Sequence, residues 1–122
     1  MYERLGTIEL NELSTALNAK KSKEKFLGVW CKTNSLRVRV LKNNNYICQH
    51  CGLQGLFAAV ERARVQTPHA TPYHLNIYGK NAEGLDIMLT HDHVIPRAKG
   101  GQSTEQNGQA LCRPCNQLKA DS

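Results

Sequence analysis

Two sets of residues in this chain have the types and spacing to do chemistry. The first is a pair of Cys-x-x-Cys knuckles, Cys48/Cys51 and Cys112/Cys115. Zinc favours four soft ligands in a tetrahedron, and each knuckle supplies two sulfurs from one tight turn. Gly52, directly after Cys51, suits such a turn. Four thiolates leave no open coordination position, so this Zn²⁺ is structural. The long separation of the knuckles implies that one ion ties two distant parts of a single fold together. A redox pair or chance spacing are the rival readings. His50 lies inside the first knuckle and could replace a ligand, but with four cysteines present it reads as a surface residue. The second set is the run Thr90-His91-Asp92-His93-Val94-Ile95-Pro96-Arg97, followed by Asn107 and by Asn116 directly after Cys115. A neutral imidazole can take a proton from water near pH 7. Carboxylate and amide oxygens suit a hard divalent cation, which can neutralise a phosphate and a leaving oxygen.

The order and spacing of these residues resemble the HNH endonucleases, whose fold is the ββα-metal type. The family pattern is roughly Asp-His-Ile-Ile-Pro-Arg-Ser-Lys-Gly-Gly, then Asn, Cys, x-x-Cys-Asn. This chain has Asp92-His93-Val94-Ile95-Pro96-Arg97-Ala98-Lys99-Gly100-Gly101, then Asn107, Cys112, Cys115 and Asn116, with the spacings matched without gaps. The run Asn45-Tyr46-Ile47-Cys48-Gln49-His50-Cys51-Gly52 also resembles the approach to the first knuckle in zinc-containing members. The resemblance covers 32–53 and 86–121. It implies His93 as general base, Asp92 and Asn116 as ligands of a catalytic Mg²⁺ or Mn²⁺, and Asn107 as a brace for the loop that holds His93. It also implies products with a 5′-phosphate and a 3′-hydroxyl.

Some residues stay open. In a regular strand His91 and His93 share one face and Asp92 points to the other. For Asp92 and His93 to reach one site, the strand must end or distort there. His91 could be a third ligand, a phosphate contact or an exposed residue, the last two being favoured. Arg97 and Lys119 are candidates for phosphate contact, with plain surface solvation an equal alternative. The run Asn107-Gly108-Gln109-Ala110-Leu111 is less apolar than the family's usual sequence. His69 and His74 have no assigned role.

These residues need a scaffold, and the patterning predicts an α+β fold. Ile8, Leu10, Leu13 and Leu17 recur at roughly helical spacing, which predicts a helix over 6–27 with Thr7 as its N-cap. A second helix is expected over 34–43, with Leu36, Val40 and Leu41 as its apolar face, while the alternation Leu36/Val38/Val40 also fits a strand; Asn43-Asn44-Asn45 breaks the pattern before the first knuckle. Residues 56–64 fit helix or strand. Pro68 and Pro72 bound a loop. Residues 73–79 and 85–94 read as two strands of a hairpin around the turn Asn81-Ala82-Glu83-Gly84. The expected organisation is a basic helical arm over 1–31 and a zinc-stapled nuclease domain over 32–122, with a β-rich insert at 54–85. Its core is a hairpin followed by the helix that starts near Cys112.

The chain has 122 residues, about one domain, and a net charge of +6. Residues 1–45 hold nine Lys/Arg against four Glu, so nearly all of that charge sits in the N-terminal part. Such an arm suits a phosphate backbone, and solubility alone explains it as well. Five cysteines with two knuckles argue against a disulfide framework and for a reducing compartment. Cys31, the odd one, reads as a small buried apolar residue. No stretch is apolar enough to span a membrane and no leader is visible, so the cytoplasm is the expected location. The partner expected is DNA, with RNA left open. The favoured activity is metal-dependent hydrolysis of DNA. The rivals are a zinc-stabilised nucleic-acid-binding module without catalysis, and a regulatory protein on a degenerate nuclease fold.

Overall fold

The computed structural model describes residues 2–64 and 72–120. Seven strands and three α-helices follow in the order β1 (Tyr2–Glu9), α1 (Leu10–Asn18), β2 (Lys23–Phe26), β3 (Val29–Lys32), α2 (Leu36–Asn43), β4 (Phe57–Ala63), β5 (His74–Lys80), β6 (Asp86–His93), β7 (Gly108–Cys112) and α3 (Arg113–Ala120). Strands β1, β4, β5, β6 and β7 form one antiparallel sheet in that spatial order, and β2 and β3 form a separate ribbon. The fold is α+β, with an N-terminal helix, a β-rich insert and a β6–β7–α3 unit at its C-terminal end.

The sheet has two differently used faces because side chains alternate along each strand. Ile8, Ala58, Val60, Leu75, Ile77 and Leu89 point to one face and are buried with Leu13 of α1, Phe26 and Cys31 of the ribbon, and Val38 and Leu41 of α2. Leu13 and Leu41 are fully buried, each contributing about 1.5–3 kcal/mol of apolar transfer. The other face carries Ala59, Tyr78 and Met88, with Tyr2 and Phe57 packed against them. It also carries the buried Glu61, which accepts hydrogen bonds from Asn76 Nδ2 (2.7 Å), from the Tyr78 hydroxyl and from Arg4 Nε (3.2 Å). Burial and then the Glu61 carboxylate raise the Tyr78 phenol, so it stays a donor.

The N-terminal part departs from the expected helix over 6–27. Residues 2–9 are strand, because they pair with β4 from Tyr2↔Ala63 to Glu9↔Phe57. The helix is confined to Leu10–Asn18, and the left-handed backbone of Lys20 (φ 56°) prevents its continuation. Leu13 and Ala16 are its buried residues. Residues 23–26 then return as strand. Strand β1 is hydrogen-bonded into the main sheet through the insert strand β4.

Elsewhere the expectations hold closely. Helix α2 lies within 34–43 and is capped by Ser35, whose hydroxyl accepts from Val38 N (3.4 Å). The asparagine run ends it, and Asn44 Oδ1 accepts from Ala110 N (2.7 Å), joining α2 to β7. Residues 57–63 resolve as strand because they pair on both sides. The β5–β6 hairpin turns at Asn81, whose Oδ1 accepts from Glu83 N and Leu85 N, both at 3.0 Å. Pro72 is exposed in a connection, and Pro68 and His69 lie outside the described residues.

Candidate active site and metal centre

The four knuckle cysteines converge. The sulfurs of Cys48, Cys51, Cys112 and Cys115 all lie within 4.8 Å of one another. Cys51 Sγ and Cys112 Sγ are 3.7 Å apart, and a tetrahedron with zinc–sulfur arms of about 2.3 Å has edges of about 3.8 Å. The donor set and its size therefore fit a zinc ion. The first knuckle closes by Gly52 N donating to Cys48 O (2.9 Å), with Gly52 at φ 81°. Burial alone would raise the Cys48 thiol, but N–H groups of Cys51, Cys112 and His50 aimed at it hold it down at about 6. Burial and crowding by the other sulfurs raise Cys112 and Cys115. Four sulfurs this close without a cation disfavour further ionisation, which a divalent ion reverses. His50 is exposed and stands outside the cluster, and Cys31 is buried in the main core.

Strand β6 carries the second set, and it stays regular to its last residue. Asp92 pairs with Gln109 and His93 with Gly108. Thr90 and Asp92 consequently face α3, while His91 and His93 face the opposite side. On the α3 side, Asn116 Nδ2 donates to Thr90 Oγ1 (2.8 Å), which donates onward to Leu111 O (2.7 Å). Asp92 Oδ2 accepts from Gln109 Nε2 (3.0 Å) and from Lys119 Nζ, which also donates to His93 O (2.7 Å). Burial alone would raise the Asp92 carboxyl, but the Lys119 and Gln109 hydrogen bonds hold it below its usual range. A groove lined by Gln49, His50, Gln109, Leu118 and Lys119 runs beside this carboxylate.

On the opposite side, His93 Nε2 is 3.0 Å from Ser103 Oγ, and Arg97 Nη2 donates to the same hydroxyl (3.2 Å). The His91 and His93 rings lie 5.2 Å apart, tilted by 39°. His91 Nε2 is buried with no hydrogen-bond partner. Burial, then the neighbouring His93, lower the His91 imidazole below its ordinary value. His91 is half-buried beneath α2, so its placement is neither that of a ligand beside Asp92 nor that of an exposed residue.

Asn107 stitches the loop between β6 and β7. Its Oδ1 accepts from Ile95 N (2.8 Å), and its Nδ2 donates to Ile95 O (3.1 Å) and Gln102 O (2.8 Å). Its backbone carbonyl accepts from Val94 N (2.9 Å), immediately after His93. Gly101 lets this loop close: an added Cβ would lie 1.7 Å from Ile95 O.

The structure thus sets Lys119 of α3 on Asp92 and Asn116 of α3 on Thr90, two residues back along the same face of β6, and puts His93 across the same strand end. Gln109 and Ser103 escaped the sequence reading. Gln109 was findable by counting the strand register back from Cys112, whereas a serine in a polar loop gives no signal.

An α+β scaffold with a four-cysteine metal centre and a β–β–α unit defines the class of fold. Residues 79–122 match the family model of the HNH endonucleases, so the resemblance drawn from Asp92 to Asn116 holds for this segment. No curated protein and no solved structure matches the chain. The match gives the molecule a nuclease-like module, whose family acts on nucleic acids. Among the described residues, no helix is long and apolar enough to cross a membrane.

Proposed function

We propose that the protein is a metal-dependent endonuclease that hydrolyses phosphodiester bonds in DNA. The observation that carries this reading is the Asp92–His93 step at the last paired positions of β6, within the family-matched segment. Because the strand ends there, a phosphate seated across its tip meets His93 from one side and the α3 side chains from the other. The hard oxygens of Asp92 and Asn116 share the α3 side, and Asn116 Oδ1 accepts no hydrogen bond among the described residues. Both fit an oxygen-ligated Mg²⁺ or Mn²⁺. A cation bound there would neutralise the phosphate and the departing oxygen.

In this reading the neutral His93 imidazole takes a proton from water, with Ser103 orienting the ring. The resulting hydroxide forms the new P–O bond, the P–O3′ bond breaks, and the 3′-oxygen leaves with a proton drawn from solvent. Asn107 holds the loop and so the backbone next to His93. Arg97 is a second donor beside Ser103. Zn²⁺ on Cys48, Cys51, Cys112 and Cys115 stays structural and fixes the start of α3, and with it Asn116.

A non-catalytic nucleic-acid-binding module is favoured by one observation, the Lys119 ammonium already seated on Asp92. A plasmid-nicking assay with Mg²⁺ or Mn²⁺ separates the two. Wild type is expected to nick and His93→Ala to lose about 10²-fold or more of the rate, the usual share of a general base, with its zinc retained. Equal nicking by both would overturn His93 as the base. Binding by wild type with no nicking would favour the binding module.

A further inference from the structure

The β2–β3 ribbon sits outside the family-matched segment, and its two faces differ sharply. The pairs Lys23↔Lys32 and Lys25↔Trp30 put three lysines and a tryptophan on one face. All four are exposed, and Trp30 is 56% exposed. Phe26 and Cys31 point the other way and are buried in the core. Lys23 Nζ and Lys25 Nζ stand 5.1 and 5.9 Å from the centroid of the Trp30 ring, so the indole gathers their ammonium groups over its face. Among the described residues, Lys23, Lys25 and Lys32 make no ion pair. Glu24 lies on the inward face opposite Cys31.

The ribbon is held rigidly. Its two-residue turn has Leu27 at φ 50° and Gly28 at φ 84°, the left-handed pair that matches strand twist in a tight hairpin. The Leu27 side chain rests on β1, where a Cβ on Gly6 would meet its Cδ1 at 2.7 Å. Thr33 N donates to Ser22 O (3.0 Å) and Thr33 Oγ1 to Lys21 O (2.6 Å), fixing the base. From that base a cleft lined by Lys20, Lys21, Arg39, Lys42 and Glu105 reaches the β6–β7 loop at Glu105, which is ion-paired with Arg39.

We infer that the Lys23/Lys25/Trp30/Lys32 face is a second nucleic-acid contact, gripping the phosphate backbone of the strand that runs on from the cleavage site. A rigid, exposed, unneutralised basic face around one large aromatic complements a polyanion, and Lys20, Lys21 and Lys42 of the cleft continue that positive charge toward the β6–β7 loop. The inference rests on the endonuclease reading only for the identity of the polyanion. Lys23, Lys25 and Lys32 release counterions from the backbone, and the indole supplies a flat surface against it.

Trp30 is the sole tryptophan of the chain, so its fluorescence reports on this face alone. The test titrates a short duplex into zinc-loaded His93→Ala protein and follows both Trp30 emission and anisotropy of a label on the DNA. Emission is expected to change in step with anisotropy. The variant Lys23→Gln/Lys25→Gln/Lys32→Gln is expected to lose about tenfold or more in affinity, and its log–log salt dependence should flatten by about 2–3. In the wild-type background the same variant should raise KM more than it lowers kcat. Single Lys23→Gln and Lys32→Gln proteins, with melting temperatures, guard against misfolding of the triple variant. Unchanged emission at saturating DNA, or triple-variant binding with wild-type affinity and slope, would overturn the inference. Capture of anionic phospholipid vesicles without duplex binding would also overturn it. If the ribbon binds DNA but wild type never nicks, the ribbon contact stands and the catalytic reading falls. If wild type nicks and the ribbon variants bind and nick normally, only the ribbon contact falls.

Discussion

The Asp92 carboxylate already has a cation on it, supplied by the chain itself. Lys119 lies on α3 one turn beyond Asn116, so the helix delivers the amide and the ammonium to the same side of β6. A divalent ion taken up by Asp92 would therefore compete with the Lys119 ammonium for its negative charge. A hydrogen bond between charged groups is worth about 1.5–3 kcal/mol, so Lys119→Met is expected to tighten Mn²⁺ binding by about tenfold or more. Electron paramagnetic resonance of Mn²⁺ titrated into zinc-loaded protein measures this directly. Unchanged or weaker affinity would count against Asp92 as a ligand. At this scale the sequence was informative where chemistry demands a spacing. The Cys-x-x-Cys pairs could be placed by counting residues, and Asn107 and Asn116 through the resemblance to the HNH family. The Lys119 contact could not, because it depends on which face of α3 meets β6.

Among the elements, the loop from Val94 to Asn107 is the most constrained. It joins the two strands that present the site, and Asn107 makes three side-chain hydrogen bonds within it. At Gly101 the neighbouring backbone occupies the place of any side chain. Gly101→Ala is thus expected to shift the loop, release the His93–Ser103 contact and slow nicking by about tenfold or more, equivalent to about 1.4 kcal/mol of barrier. Zinc content and far-UV circular dichroism should be unchanged. Wild-type rates in this variant would show that the loop does not hold His93. The β5–β6 hairpin and α2 were legible from alternation and from the asparagine breaker. The N-terminal strand was not, because Ile8, Leu10, Leu13 and Leu17 lie at helical spacing across a strand–helix junction. Only pairing with β4, from Tyr2↔Ala63 to Glu9↔Phe57, makes 2–9 a strand, and no local pattern encodes a partner that distant. The ribbon was equally hidden: its Leu27-Gly28 turn puts a bulky residue where glycine or asparagine is usual.

Across the whole molecule, the four-cysteine metal site links the knuckle after α2 to the junction of β7 and α3. Gln49 N also donates to Ala110 O (2.9 Å) there. Stripping zinc with a chelator is expected to abolish nicking and to lower the melting temperature by roughly 10 °C or more, since structural zinc contributes several kcal/mol to folding. Calorimetry with and without zinc checks this. A zinc-free protein that melts and cuts like wild type would separate the two centres. The family-matched stretch begins at residue 79, inside β5. That boundary cuts through a hydrogen-bonded strand and leaves Cys48 and Cys51 on the other side. The recognised stretch is thus smaller than the sheet and the cysteine cluster to which it belongs. Recombination that transplanted residues 79–122 alone would carry Asp92, His93 and Asn116 away from two of the four clustered cysteines and from the strand that flanks β5. Inheritance of this module therefore has to include the insert strand and the first knuckle, which lie outside the matched stretch.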